Sequence, residues 1–169
     1  VADPIPLFTT GLGTFTRPIS SKNPEAQKFF DQGFQMMYSF ARLDAVRSFR
    51  EAWKRDPDCA ICYWGEAWAW GSYLNGPMPA EQSPFAYYAL QKAISQKSQA
   101  SPVERDYIDA LSVRYVEKFD LKTRRQQDEA YAESMRTLAE KYPNDLAAVT
   151  LYGDALFLLE PRRRRRDLH

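Results

Sequence analysis

The sequence predicts an all-helical chain, on three observations. Apolar residues recur every three or four positions along most of its length, the spacing that gathers them on one face of an α-helix. Polar residues beside a proline separate these runs at intervals, and proline in the first helical turn removes only an amide that has no partner there. No stretch of four to eight residues alternates apolar with polar, and the one Asn-Gly pair, Asn75-Gly76, runs into Pro77 within a connection.

The elements follow in order. Residues 1–22 contain Pro4, Pro6, Gly11, Gly13 and Pro18 among scattered threonines, too broken for a helix, and read as an irregular leader. Asn23-Pro24 opens a first helix with Phe29, Phe30, Gly33, Phe34, Met37 and Phe40 on its face, and Ala45, Val46, Phe49, Ala52 and Trp53 define a second. Asp56-Pro57-Asp58 ends that helix and introduces a third, carrying Ile61, Trp64, Ala67 and Trp68. Ser83-Pro84 opens a fourth through Ala86, Tyr87, Leu90, Ala93 and Ile94. Ser101-Pro102-Val103-Glu104 is a capping box, in which Glu104 returns a hydrogen bond to the cap amide, and Tyr107, Ile108, Leu111 and Tyr115 follow it. A sixth face holds Ala130, Met135, Leu138 and Ala139; after Pro143-Asn144 a seventh holds Val149, Gly153 and Leu156. Positions 162–166 are all Arg and make residues 161–169 a basic tail.

Composition removes several function classes. The formal charge is +1, but without the five tail arginines 18 basic residues face 22 acidic ones, so no basic face is available for general phosphate-backbone binding. No specific nucleic-acid partner is expected, and the tail reads as a solvated end. No apolar run approaches the length of about 18 residues that a membrane helix needs. The single histidine is His169, and two cysteines cannot supply a four-ligand zinc site, so metal ligation and histidine acid–base chemistry lose their carriers. No Gly-rich phosphate loop, Gly-x-Ser-x-Gly elbow or His-Glu-x-x-His run occurs. The residues therefore predict no catalytic constellation, no metal and no cofactor.

A fixed period runs through the helices. Phe29, Gly33, Met36, Ala45, Phe49, Ala52 and Pro57 follow one another at steps of 4, 3, 9, 4, 3 and 5: a small residue where two helices cross, large ones beside it, and proline to stop the second helix. This pattern resembles the tetratricopeptide repeat, an antiparallel helix pair of about 34 residues. A second unit keeps Ala67, Trp70, Ala86, Leu90 and Ala93 with seven extra residues in the stretch around 73–84. A third, weaker unit uses Ala110, Val113, Tyr131, Met135, Leu138 and Pro143, its internal connection longer by nine. The resemblance implies a right-handed superhelical array of about three and a half helix pairs over residues 23–160, with repeats near 26–59, 60–100 and 101–145 and a partial one at 146–160. The text PEAQKFFDQG, RSFREAWKRDPDCAICYWGEA and YPNDLAAVTLYGDAL is similar to a group of large, uncharacterised bacterial tetratricopeptide proteins of exported type. That likeness implies an amino-terminal portion of a longer array and a periplasmic or secreted location; the residues alone leave a cytoplasmic one open. An uncapped last helix is expected to pair with a second copy, because its apolar end must be covered.

In such arrays the first helix of each pair lines the concave face where a partner docks. Carried over by spacing, this puts Phe30, Phe34, Tyr38, Trp64, Trp68, Tyr107 and Tyr115 on that face, with Arg114 at its rim. The expected function is a non-catalytic protein-interaction scaffold that seats an apolar peptide or helix in an aromatic groove. The competing reading is that these rings are core, since helical aromatic stripes usually are, covered either by the leader, with Phe8, Leu12, Phe15 and Ile19 as its anchors, or by further repeats after residue 169. Cys59 and Cys62 form a CxxC pair with Tyr63 where haem attachment needs His. Packed structural thiols, a local disulfide and a thiol redox pair remain as its readings. The alternative functions are thus a redox component using these cysteines, or a small-molecule pocket in the aromatic groove.

Overall fold

In a computed structural model that describes residues 3–74 and 76–160, the helices begin where side chains replace missing backbone partners. Asn23 accepts from the Glu25 amide and opens α1, Pro24–Tyr38. The second helix, α2, spans Arg42–Arg55 without a side-chain cap. Cys59 precedes α3, Ala60–Trp70, and Ser83-Pro84 starts α4, Ser83–Ser95. The capping box of Ser101 and Glu104 forms and opens α5, Pro102–Ser112. Asp120 caps α6, Leu121–Lys141, and Asp145 caps α7, Leu146–Leu159, by accepting from the Ala147 and Ala148 amides. Among the described residues the chain is all-helical, as expected, and its only extended pairing is an isolated bridge in which Tyr73 and Gly76 exchange backbone hydrogen bonds. The arginine run at 162–166 and Asn75 lie outside the described residues.

The helices pack in sequence: α1 on α2, α2 on α3, α3 on α4, then α5 against α3, α4 and α6, and α6 on α7. One ring sets two of the close helix crossings. A Cβ added to Gly33 of α1 would lie 2.9 Å from Phe49 Cε1, and one added to Gly65 of α3 would lie 2.5 Å from the same atom and closer still to Cδ1. The fully buried Phe49 of α2 is therefore gripped between two bare helix backbones. The sequence locates the first of these glycines but puts the close crossing of the second unit at Ala67; the tightest approach is at Gly65.

The connection at 71–82 holds the inserted residues and packs inward through the buried Met78. Arg42 fastens its start by donating to the carbonyls of Ala69, Trp70 and Gly71, which have no helical partner at the end of α3. In the third pair the expected long connection is corrected. Tyr131 stands ten residues into a 21-residue α6, whereas Ala45 stands three residues into α2, so most of the extra length winds two additional turns of helix. Leu146, Val149 and Leu156 stand exposed on α7.

Candidate binding site

The odd-numbered helices bring most of the anticipated residues into one row of rings. Phe34 of α1 lies 5.1 Å from Trp68 of α3 by ring centroids, Trp68 stacks on Trp64 at 5.4 Å, and Trp64 meets Tyr107 of α5 edge-on at 5.3 Å. Phe30 and Tyr38 flank Phe34 along α1. The expectation that these rings form an open surface is corrected. Phe30, Phe34, Trp64, Trp68, Tyr107 and Tyr115 are all buried, and only Tyr38, 47% exposed, remains accessible. Arg114 is no rim residue either. It is wholly buried beside Tyr115, away from the row, donating to the Ser72 carbonyl, 3.6 Å from Asp128 and with its guanidinium over the Tyr131 ring.

The leader covers much of the row, and it is held as an extended ligand would be. Gln32 grips one stretch through both ends of its amide: Oε1 accepts from the Phe8 amide at 2.8 Å and Nε2 donates to the Pro6 carbonyl at 3.0 Å. Gln27 does the same further along, accepting from the Ile19 amide and donating to the Arg17 carbonyl. Gln35 donates to the Phe15 carbonyl, and Asp31 accepts from the Arg17 amide. These four residues of α1 read backbone, while Phe15 stacks on Phe34 with centroids 5.2 Å apart. Glu104 of α5 accepts from both the amide and the hydroxyl of Ser20. Of the anticipated anchors, Phe15 stacks on Phe34 and Ile19 packs against the core, while Phe8 and Phe15 are each left 46% exposed and Leu12 is half-buried.

Arg17 ties this segment to the other end of the array. Its two terminal nitrogens form a fork on Asp145 at 2.9 and 2.8 Å, its guanidinium carbon sits 4.6 Å from the centre of the Tyr107 ring, and Tyr107 donates to the same carboxylate. Burial alone would raise the Asp145 carboxyl, but the hydrogen bonds from Arg17 and Tyr107 outweigh it and hold the group below its ordinary range. The Tyr107 hydroxyl is driven upward, first by burial.

Part of the row stays open. A cavity of about 320 Å³ lies between the end of α1, α3, the 73–74 turn and α7, and no described leader residue lines it. Tyr38, Phe40, Trp68, Tyr73 and Phe157 supply its rings, and Asp154 of α7 its one carboxylate. Burial, and secondarily the negative charge of Asp154, push the Tyr38 hydroxyl up to about 12. Sequence reasoning missed Phe40 as a lining residue, Asp154, and the backbone-reading Gln32 and Gln35. Asp154 did carry a signal, being the only charged residue of the otherwise apolar α7.

Cys59 and Cys62 are joined as a disulfide across the first turn of α3, with Cα atoms 5.3 Å apart and both residues buried. The bridge sets aside the reading of Cys59 and Cys62 as packed free thiols. Among the described residues no group of three or more His, Cys, Asp or Glu side chains converges for a metal ion, and no helix is long and apolar enough to cross a membrane. Compared with known proteins, the chain matches no family model, no curated protein and no solved structure.

Proposed function

We propose that this chain is a non-catalytic scaffold of tetratricopeptide type, a right-handed array of about three and a half helix pairs whose inner face binds an extended segment of a protein partner. The observation that carries the reading is the pair of glutamines, Gln27 and Gln32, each gripping a leader segment by one carbonyl and one amide. Side chains that satisfy a peptide backbone at both polarities, beside rings that take its apolar side chains, are the parts an extended-peptide site needs. In this state the leader is the occupant, so a partner segment binds by replacing residues 15–20 over the row of rings. The buried disulfide supports residence in an oxidising compartment such as the periplasm.

The test uses the full chain. A dye-labelled peptide copying residues 3–22 is titrated into wild type and into Arg17→Ala, with binding followed by anisotropy. Wild type should take up little peptide, and Arg17→Ala, with its own leader loosened, should bind it saturably. Failure of the loosened chain to bind the peptide would remove the groove from the account.

A further inference from the structure

Two features that cost the fold stability line the same cavity. The first is Asp154, which makes no hydrogen bond and no ion pair with any described residue. Loss of solvent raises its carboxyl above the ordinary range, and the attraction of Arg114 does not cancel that effect. Arg114 donates through Nη2 to the Ser72 carbonyl and stands 3.6 Å from Asp128, its Nε and Nη1 being buried without a hydrogen-bond partner among the described residues, and it attracts Asp154 without bonding to it. The second is Phe40, whose backbone sits at φ 61 in the left-handed region, where a bulky side chain is strained and glycine or asparagine would be at ease. Its ring is not repaid by burial, being 52% exposed at the turn between α1 and α2. The left-handed turn at Phe40 also ends α1, its amide donating to the Met37 carbonyl and the Ala41 amide to the Met36 carbonyl. What the fold leaves without a structural use is therefore the exposed Phe40 ring and the Asp154 carboxylate, and features of that kind mark candidate sites.

The lining indicates what the site takes. Tyr38 and Trp68 meet at 62° with centroids 6.3 Å apart, and rings set at such an angle let one cation touch both. Tyr73 already has the Arg42 guanidinium 5.1 Å from its ring centre, so it is the least available of the five rings. Side-chain oxygens are few: Tyr38, Tyr73, Thr150 and Asp154, and the Thr150 hydroxyl already donates to the Leu146 carbonyl. A primary ammonium carries three donors and would leave some unsatisfied here, whereas a methylated one has none to satisfy. We propose that this cavity binds a small quaternary organic ammonium ion, its charge against Asp154 and its methyl groups on the rings of Tyr38, Trp68, Phe40 and Phe157. Because no described leader residue lines the cavity, the site stands or falls independently of peptide binding in the neighbouring groove.

The probe is choline, compared with its uncharged carbon isostere, in which a tert-butyl group replaces trimethylammonium. Both are titrated into the full chain by calorimetry, with tryptophan fluorescence reporting on Trp68. Choline should bind at least about fivefold more tightly than the isostere, the preference that ring faces and one carboxylate confer on a cation. Asp154→Asn keeps the shape and should bring the two affinities together without lowering the thermal midpoint. Tyr38→Ala, which removes a half-exposed ring, should weaken choline binding while the helical signal stays intact. Equal affinity for choline and the isostere in wild type, no saturable binding of choline, or a preference that survives Asp154→Asn overturns the assignment.

Discussion

Arg17→Ala isolates the hold of the leader on the array. The substitution removes both donors of the fork on Asp145 and the cation over Tyr107, at side chains that are each 17% exposed. Fully exposed ion pairs contribute about 0–1 kcal/mol, and breaking fully buried ones costs about 3–5 kcal/mol. At this partial exposure the loss falls between, about 2 kcal/mol, which multiplies the open population of the segment roughly 30-fold. Amide hydrogen exchange reads this directly, because the amides of Arg17, Ile19 and Ser20 are held by Asp31, Gln27 and Glu104. Their protection should fall together by that factor. The Phe8 amide, held separately by Gln32, serves as the internal reference and should change less. Unaltered protection at residues 17–20 refutes the lock, and equal loss across α1 to α7 shows that Arg17 supports the whole fold instead.

Gly65→Ala should lose about 1–2 kcal/mol in urea unfolding, because a gain of about 1 kcal/mol in helix propensity meets an overpacking cost near the top of its usual 1–3 kcal/mol range. Phe49 cannot retreat from the new methyl, since Gly33 stands against its ring; adding Phe49→Leu should recover part of the loss, and a Gly65→Ala chain as stable as wild type contradicts the packing. Replacing both Cys59 and Cys62 by Ala opens a four-residue loop and should cost about 2 kcal/mol by the chain-entropy relation. Reductant should destabilise wild type by a similar amount and leave the double variant unmoved. On acidification the signs differ among three carboxylates. The Asp145 carboxyl is held low in the fold, so its contribution is present above the ordinary carboxylate range near 4 and is lost as pH falls through its depressed folded value. Burial raises Asp31 and Asp154, so protonating them costs the folded state nothing relative to the unfolded one. Leader protection should therefore survive the first protonations and fail at lower pH; loss that begins above the ordinary carboxylate range would contradict this order.

The fold was legible wherever the signal was local. Asn23, Ser101 and the prolines at 24, 84 and 102 mark helix starts because their effect is exerted within one turn, and each stands at or beside a start in the structure. The start of α2 carries no capping side chain, so the residues before it hold no such mark. Gly33 was legible because it falls on the repeat spacing. Gly65 was not, since its necessity comes from Phe49 of a different helix, and pattern within α3 cannot register a ring arriving from α2.

The aromatic row shows the harder limit. Spacing identifies Phe30, Phe34, Trp64, Trp68 and Tyr107 as one face of successive helices, and they do meet. Whether such a face is surface or core depends on what crosses it, and the crossing segment is an irregular stretch with no periodicity to read. Its docking depends on side chains of α1 that satisfy peptide groups, and glutamine on a helix looks the same in sequence whether it points into water or onto a carbonyl. The lone aspartate in α7 is the opposite case, a residue that breaks its local pattern. A charge in LYGDALFLL interrupts a helix whose other side chains are mostly apolar, and neither capping nor a close ion pair accounts for its position. Departures from local consistency of this kind gather at sites that use them. That separates two parts of the aromatic row: the leader-covered rings obey the pattern and serve packing in this state, while the cavity beside Phe40 holds the one charge of α7, which breaks it, and stays open.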